Sequence, residues 1–338
     1  MTDEARTRTA RPKALEFFAG IGGFSQATHG VIDVRAAFDL SSHTLQVMAH
    51  NLSSELDEEA KPALIQRDVS TFTPEEFAAY DAQIWWMSPP CQPYTVRGLQ
   101  RDLEDHRAKA FLHMLDAVDQ VMPENLAMEN VKGFWESEAR QKILGVLKGA
   151  GYEVHEQVLC PSELGVPARR ERYYLVASRE ALVKEDALEQ SLLHDPPEKR
   201  KLKDYLDGDE LDEETRAALE VSEQVQEKFA HAMRIFEWDD PVASLNCFTS
   251  AYGKTFRYSG AYVREADGKV RFFSARELLR LLGFSESFEF PAGMTRKQKY
   301  RYIGNSLSLP AVRHVLRRLA CTLPESKGSP LRQGAAMM

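Results

Sequence analysis

Five stretches of this 338-residue sequence carry residue types that could do chemistry together. The first is Ala19-Gly20-Ile21-Gly22-Gly23, which follows the apolar pair Phe17-Phe18. Glycine there lets a ligand approach the backbone, and a helix starting just after it offers unused N–H groups. A packing turn would use the same glycines. The dinucleotide fingerprint G-x-G-x-x-G needs a glycine where this chain has Ser25, which argues against hydride transfer. Asp39 stands 19 residues after Gly20, where a carboxylate can accept ribose hydroxyls. Asp68 could accept a hydrogen bond from an adenine amine. Either aspartate alone reads as a helix cap; with the glycine turn they describe a nucleoside pocket. In Ser88-Pro89-Pro90-Cys91-Gln92-Pro93 the prolines restrict the chain on both sides and hold the Cys91 thiol in one orientation. A nucleophile needs that, ideally with a positive charge nearby to favour the thiolate; a structural thiol is the plain alternative. Glu129, which opens Glu129-Asn130-Val131, is a candidate general acid if it stands opposite that thiol.

All five stretches lie at the ends of short apolar runs, residues 14–18, 34–38, 63–66, 84–87, 126–128 and 173–177. These alternate with polar or periodic stretches, the pattern of parallel βαβ units in an α/β fold. Phe111, Leu112, Leu115, Val118 and Met122 recur at spacings of three and four and predict an amphipathic helix covering a sheet face. An open parallel sheet binds ligands just beyond the carboxyl ends of its strands, which is where the candidate residues fall. Trp85-Trp86 reads as strand core.

The formal charge of −8, from 43 basic and 51 acidic residues, argues against a polyanionic partner until it is resolved along the chain. Residues 180–240 hold 19 acidic and 8 basic residues, a net of −11. The remainder is net +3, and residues 254–338 alone are net +10. Residues 211–236 read as one or two charged helices of a solvated insert. Arg296, Lys297, Lys299 and Arg301 form a basic cluster, joined by Lys254, Arg257, Arg264 and the loop 97–101. It could neutralise several phosphates or simply balance the insert. Cys91, Cys160, Cys247 and Cys321 contain no C-x-x-C pair, so a reduced, cytoplasmic setting is expected. No run approaches the roughly 18 apolar residues of a membrane span, so no membrane partner is expected.

From about residue 14 to residue 320 the order of these motifs resembles that of the cytosine-5 methyltransferases that use S-adenosylmethionine (SAM). The resemblance implies a Rossmann-like fold with a mostly parallel sheet, helices on both faces and a smaller target-recognition domain. It implies a disordered N-terminus at 1–13, a catalytic domain at 14–178, and a target-recognition region with its acidic insert at 179–275. A return to the catalytic domain at 276–322 and a flexible tail at 323–338 complete the division. Cofactor contacts would fall to Phe18, Ala19, Gly20, Ile21, Gly22, Gly23, Asp39, Asp68 and Pro90. Asn305 and Ser306, from Gly304-Asn305-Ser306, would join them, and the helix that follows at 310–320 would pack beside the first strand. Pro89-Pro90-Cys91-Gln92 matches the nucleophile motif and Glu129-Asn130-Val131 the motif that protonates the base. Arg170-Glu171-Arg172 matches Gln-x-Arg-x-Arg, except that Ala168 replaces the leading glutamine. The implied chemistry is addition of Cys91 to carbon 6 of cytosine while Glu129 protonates N3, after which carbon 5 takes the SAM methyl group. Arg172, with Arg170, would hold the base oxygen and keep positive charge near the thiolate. No metal is required, and the target base must leave its stack.

Asn246-Cys247-Phe248-Thr249, followed by Tyr252-Gly253, resembles the signature of the tRNA-methylating branch of that family. The resemblance implies cytosine 38 of an aspartate-type tRNA as the target. Substrate contacts are then expected at Arg97, Asn130, Cys247, Phe248, Thr249, Tyr252, Lys254, Lys297 and Lys299. Cys247 could equally be a core thiol, since neither spacing nor charge marks it as reactive. A DNA methyltransferase of the restriction-modification type, acting on duplex DNA, is the alternative; its target domain would be richer in loops and basic residues than 180–240. A silent binding module is disfavoured because nucleophile, acid and arginine are all present. A monomer is expected.

Overall fold

The structure, a computed structural model, describes residues 11–52, 61–91, 102, 105, 108–194 and 200–324. Gln92, Arg97 and the loop 97–101 lie outside the described residues, as do most of the N-terminal segment and of the tail.

Seven strands form the main sheet: β1 (Lys13–Phe17), β2 (Asp33–Asp39), β3 (Ala63–Gln66), β4 (Ile84–Met87), β5 (Asn125–Val131), β6 (Glu153–Leu159) and β7 (Arg172–Ser178). Their order is β3-β2-β1-β4-β5-β7-β6. The first five are parallel, while β7 runs antiparallel to both β5 and β6. This is the expected α/β, mostly parallel fold, with one correction to the sequence of runs: β6 was not among them. Its residues Glu-Val-His-Glu-Gln-Val-Leu are half-exposed along an edge, so they lack the apolar run of a central strand. Helices α1 (Gly23–Ala27), α2 (Ser42–Leu52), α3 (Pro74–Ala78), α4 (Ala108–Val121) and α5 (Glu138–Gly149) connect the strands. The apolar face of α4 buries Phe111, Met114, Leu115 and Val118. Alternate strand residues enter opposite cores: Trp85 packs with Phe17 and Leu126, Trp86 with Phe24 and Ala127. The two tryptophans are therefore strand core. The chain leaves β1 toward β2 on one side and returns to β4 on the other, which opens a crevice at the carboxyl ends of these strands.

The second half builds a small sheet from β8 (Ile235–Glu237), β9 (Tyr262–Arg264) and β10 (Val270–Phe272), flanked by the charged helices α6 (Glu213–Leu219) and α7 (Glu223–Phe229). Helices α8 (Ala275–Leu282), α9 (Arg296–Gly304) and α10 (Leu309–Leu316) return to the main sheet. There α10 packs on α1, with Arg313 Nε donating to the Ala27 carbonyl (2.9 Å).

Nearly all described carboxylates of the insert are exposed, and Asp207 is the buried exception among them. Asp207 is buried, accepts from Arg280 (2.7 Å) and Ser274 (2.6 Å), and donates its N–H to Glu277 (2.9 Å). Glu277 also caps α8 and pairs with Arg271, both side chains being at most 2% exposed. A buried charge is tolerated only when paired and hydrogen-bonded, so this network clamps one end of the insert to the core. Glu277→Ala leaves Arg271 without its main partner and should cost about 3–5 kcal/mol. Glu286→Ala, which removes an exposed partner of Arg280, should cost under about 1 kcal/mol. Urea midpoints of the two variants check the contrast.

Candidate active site

The strand-end residues converge on one cavity of about 620 Å³, within the size range of small-molecule sites. Its cofactor side is built from the glycine turn. Phe18 and Gly20 have φ of 59° and 56°, the left-handed region that glycine adopts readily and phenylalanine does not. No atom lies within 4 Å of where a Gly20 Cβ would stand, so the turn offers an open backbone surface. Asp39 braces it from the side: one oxygen accepts from Gly20 N (2.8 Å), the other from Ser41 N (2.8 Å) and Thr44 Oγ1 (3.1 Å). A carboxylate has about four acceptor sites, so Asp39 keeps capacity for a further hydroxyl. Asp68 caps the short turn Val69–Thr71 through Ser70 N (2.9 Å) and lines the same cavity. Leu40, 66% exposed, adds an apolar wall beside them. Open backbone, two carboxylates and an apolar face fit a nucleoside-bearing cofactor such as SAM.

Glu16 went unnoticed in the sequence, although a lone carboxyl in an apolar strand was the available signal. It is fully buried in β1 and accepts from Phe24 N (3.0 Å), Ser25 N (3.2 Å) and Ser25 Oγ (2.5 Å). The α1 N–H groups expected to face a ligand are therefore partly used from beneath by this carboxyl. Burial pushes Glu16 up to about 7, with the Ser25 and Phe24 hydrogen bonds opposing the shift.

On the reaction side, Ser88 N and Oγ donate to the Phe17 and Phe18 carbonyls (3.2 Å each). Asn130 Nδ2 donates to the Pro89 carbonyl (3.3 Å). Cys91 is thus presented from a segment tied to both neighbouring strands. Asn130, expected as a substrate contact, is fully buried. Antiparallel pairing sets Val131 opposite Arg172 and Glu129 opposite Tyr174, so Glu129 and Arg172 are diagonal neighbours. Arg172 Nε lies 3.2 Å from Glu129 Oε1. Burial pushes the Glu129 carboxyl up, against the pull of Arg172 and Arg170. Burial, then the Glu129 charge, push the Cys91 thiol up; the two arginines act the other way without prevailing.

Arg170 occupies a different position from the one expected. It is 7% exposed, and its η nitrogens donate to the carbonyls of Phe248 (3.4 Å), Gly304 (3.2 Å) and Ser306 and to Cys247 Sγ (3.7 Å). Both η nitrogens of Arg170 are thus engaged within the protein. Cys247 thereby joins the site. Burial would push its thiol up, but Arg170 and Arg172 outweigh that and hold it below the ordinary thiol value. That neighbourhood is invisible in sequence, because the two segments are 77 residues apart.

The other expected substrate contacts divide. Phe248 packs edge-on against Tyr252 and Phe273, and Thr249 N donates to the Ser259 carbonyl (2.9 Å). Tyr252, also expected at the substrate, is 1% exposed, donates to the Ala261 carbonyl (2.7 Å) and accepts from Phe273 N (3.0 Å). Lys254 and Lys297 are exposed and make no ion pair with a described residue. The Lys299 ammonium stands over Phe290, and Arg296 donates to the Ala218 carbonyl, so part of the basic cluster serves the fold. Ala19, Ile21, Pro90, Asn305, Ser306 and Arg301 line the cavity; Gly22 and Gly23 pack instead under Met48 and Leu307.

In this α/β fold a nucleoside-type pocket shares one cavity with a thiol, a carboxyl and a guanidinium, the arrangement of an enzyme site. Residues 13–321 match the C-5 cytosine-specific DNA methylase family, and the chain belongs to it. The tRNA (cytosine(38)-C(5))-methyltransferase of Schizosaccharomyces pombe is 31% identical over 91% of this chain and 96% of its own length. The DNA (cytosine-5)-methyltransferase of Dictyostelium discoideum is 28% identical over 91% of this chain and 94% of its own. A crystal structure of the S. pombe Dnmt2 methyltransferase superposes with a TM-score of 0.76 at 30% identity, covering 91% of this chain and 98% of that one. Among the described residues no helix is long and apolar enough to cross a membrane, and no cluster of His, Cys, Asp or Glu could hold a metal.

Glu16 carries a pH signature. Its carboxyl ionises near 4.5 in the unfolded chain but near 7 in the fold. The contribution is thus present below about 4.5 and lost as pH rises through about 7, at roughly 1.4 kcal/mol per unit. Glu16→Gln should remove this part of the decline, read as the difference between urea midpoints at the two ends of that window. An unchanged difference excludes the assignment.

Proposed function

We propose that this protein transfers a methyl group from SAM to carbon 5 of a cytosine in the tRNA anticodon loop, cytosine 38 of an aspartate-type tRNA. The observation that carries the choice of tRNA is the placement of Cys247-Phe248. The segment whose sequence resembles the tRNA-methylating branch is hydrogen-bonded to Arg170 in the wall of the reaction cavity. The duplex-DNA alternative draws on the family description and the Dictyostelium relative but on no feature of this wall.

When bound, SAM supplies an electrophilic methyl group. The protein's part is to make carbon 5 nucleophilic. Cys91 Sγ forms a bond to carbon 6 as its proton passes to solvent and Glu129 delivers a proton to N3; the ring becomes an enamine. Burial supports this assignment, since a carboxyl pushed up retains its proton at higher pH. Arg172 orients Glu129 and offers its remaining donors to the base oxygen. After carbon 5 has gained the methyl group, loss of its proton to solvent and release of Cys91 restore the aromatic ring, and N3 returns its proton to Glu129. The base reaches this cavity only when extruded from its stack, and Lys254, Lys297 and Arg301 are placed to hold backbone phosphates. The protein acts as a cytoplasmic monomer.

Transfer of labelled methyl groups from SAM to matched tRNA and to duplex DNA tests the reading. Label should enter tRNA; label in DNA alone overturns the choice of substrate. Cys91→Ala should abolish transfer while retaining SAM, and undiminished transfer rules out the covalent route. Glu129→Gln should lower kcat by about 10²–10⁴, measured in single turnovers so that product release does not mask the change.

A further inference from the structure

Beside the reaction cavity lies a second cleft of about 640 Å³, open to solvent, to which the chemistry above assigns no role. Arg172 lines both. The remaining charged groups of the cleft are unevenly satisfied. Glu163 accepts from Cys160 N (2.8 Å), and Glu171 pairs with Lys132 (3.1 Å). Arg169 uses only Nε, which donates to the Ser244 hydroxyl (3.0 Å); both η nitrogens are without a partner among the described residues. Its mount is rigid. Arg169 N donates to the Leu245 carbonyl (2.8 Å) and Leu245 N to the Pro167 carbonyl (2.9 Å), around a parallel bridge between Ala168 and Leu245.

An exposed guanidinium, oriented through Nε and free at both η nitrogens, suits bidentate recognition of a phosphate. The phosphate nearest to a base in the reaction cavity is one covalently joined to that nucleotide. We infer that the second cleft is a subsite for the nucleotide adjoining the target cytosine, with its phosphate held by Arg169 and its base against the wall that contains Cys160 and Cys247. The inference rests on the function proposed above and adds a requirement to it. A base lodged in a protein cleft has left its stack, so two neighbouring nucleotides must be splayed out together. A single-stranded loop presents them that way at far less cost than a duplex.

Arg169→Ala, Arg169→Lys and, as a control on the exposed surface of α5, Lys148→Ala test the subsite. On a tRNA that the wild type methylates, Arg169→Ala should raise KM about tenfold or more, the larger part of its effect. Its plot of log affinity against log salt should be shallower by about 0.7. Arg169→Lys should recover most of the salt slope and part of KM, while Lys148→Ala changes neither. KM and slope unchanged in Arg169→Ala overturn the subsite. If the wild type methylates no tRNA, the functional reading fails by itself. The subsite is then judged by binding of a single-stranded pentaribonucleotide with a central cytosine: tighter binding by the wild type than by Arg169→Ala upholds it, and equal affinities overturn it.

Discussion

A buried guanidinium holds the two halves of this protein in register. Arg170 stands in a low-dielectric interior with both η nitrogens met by acceptors from two distant stretches of chain, Cys247 and Phe248, and Gly304 and Ser306, while its Nε has no partner among the described residues. The same contact demands a glycine. A Cβ on Gly304 would stand 2.4 Å from Ser250 N and from the Thr249 carbonyl carbon, so any larger residue would force the two stretches apart. The cofactor rim and the base-reading segment therefore form one wall, and neither can shift without stranding a buried charge.

Two buried carboxyls stand on either side of that wall and serve opposite ends of the site. Glu16 draws the first N–H groups of α1 down toward the sheet, so the glycine turn is fixed from beneath and Asp39 needs only to brace its edge. Glu129 has no comparable set of N–H donors and is paired with Arg172 alone. Burial raises both, but only Glu129 faces the cavity beside a thiol, where a retained proton has somewhere to go. Cys91 is also raised, by burial and by the Glu129 charge, with Arg172 and Arg170 opposing.

Features set by local chain stiffness were legible in the sequence. The glycine turn, the proline-flanked Cys91, the apolar runs of β1 to β5 and the face of α4 depend on residues within one turn or strand, and each stands where its pattern placed it. What stayed hidden depends on partners far away in the chain. The edge strand β6 carries too little apolar character to announce itself, and without it the reversal of β7 that brings Arg172 to Glu129 has no sign in the sequence. The resemblance marks Asn130 and Tyr252 as substrate contacts, and only the structure adds that they bond to the Pro89 carbonyl, the Ala261 carbonyl and Phe273 N. The same holds for Arg170: its motif marks it for the base, while its acceptors lie 77 to 136 residues further along.

The charge distribution follows the same division between local and distant causes. A net of −11 over residues 180–240 reads as a solvated surface only if its carboxylates face water. Most of those described do, but Asp207 does not, and its bonds to Arg280 and Ser274 fasten the insert to the helix that leads back toward the cavity wall. Basic residues are likewise divided, with Arg271, Arg280 and the exposed Arg296 bonded to internal carboxylates and carbonyls and Lys254, Lys297 and Arg301 left outside. A chain that spends its arginines in this way keeps a smaller positive surface than its C-terminal count of +10 suggests. For the polyanionic substrate proposed above, affinity would rest on a few placed cations around one cavity rather than on a broad basic face, and such a surface would favour a folded substrate that fits over a charged one that does not.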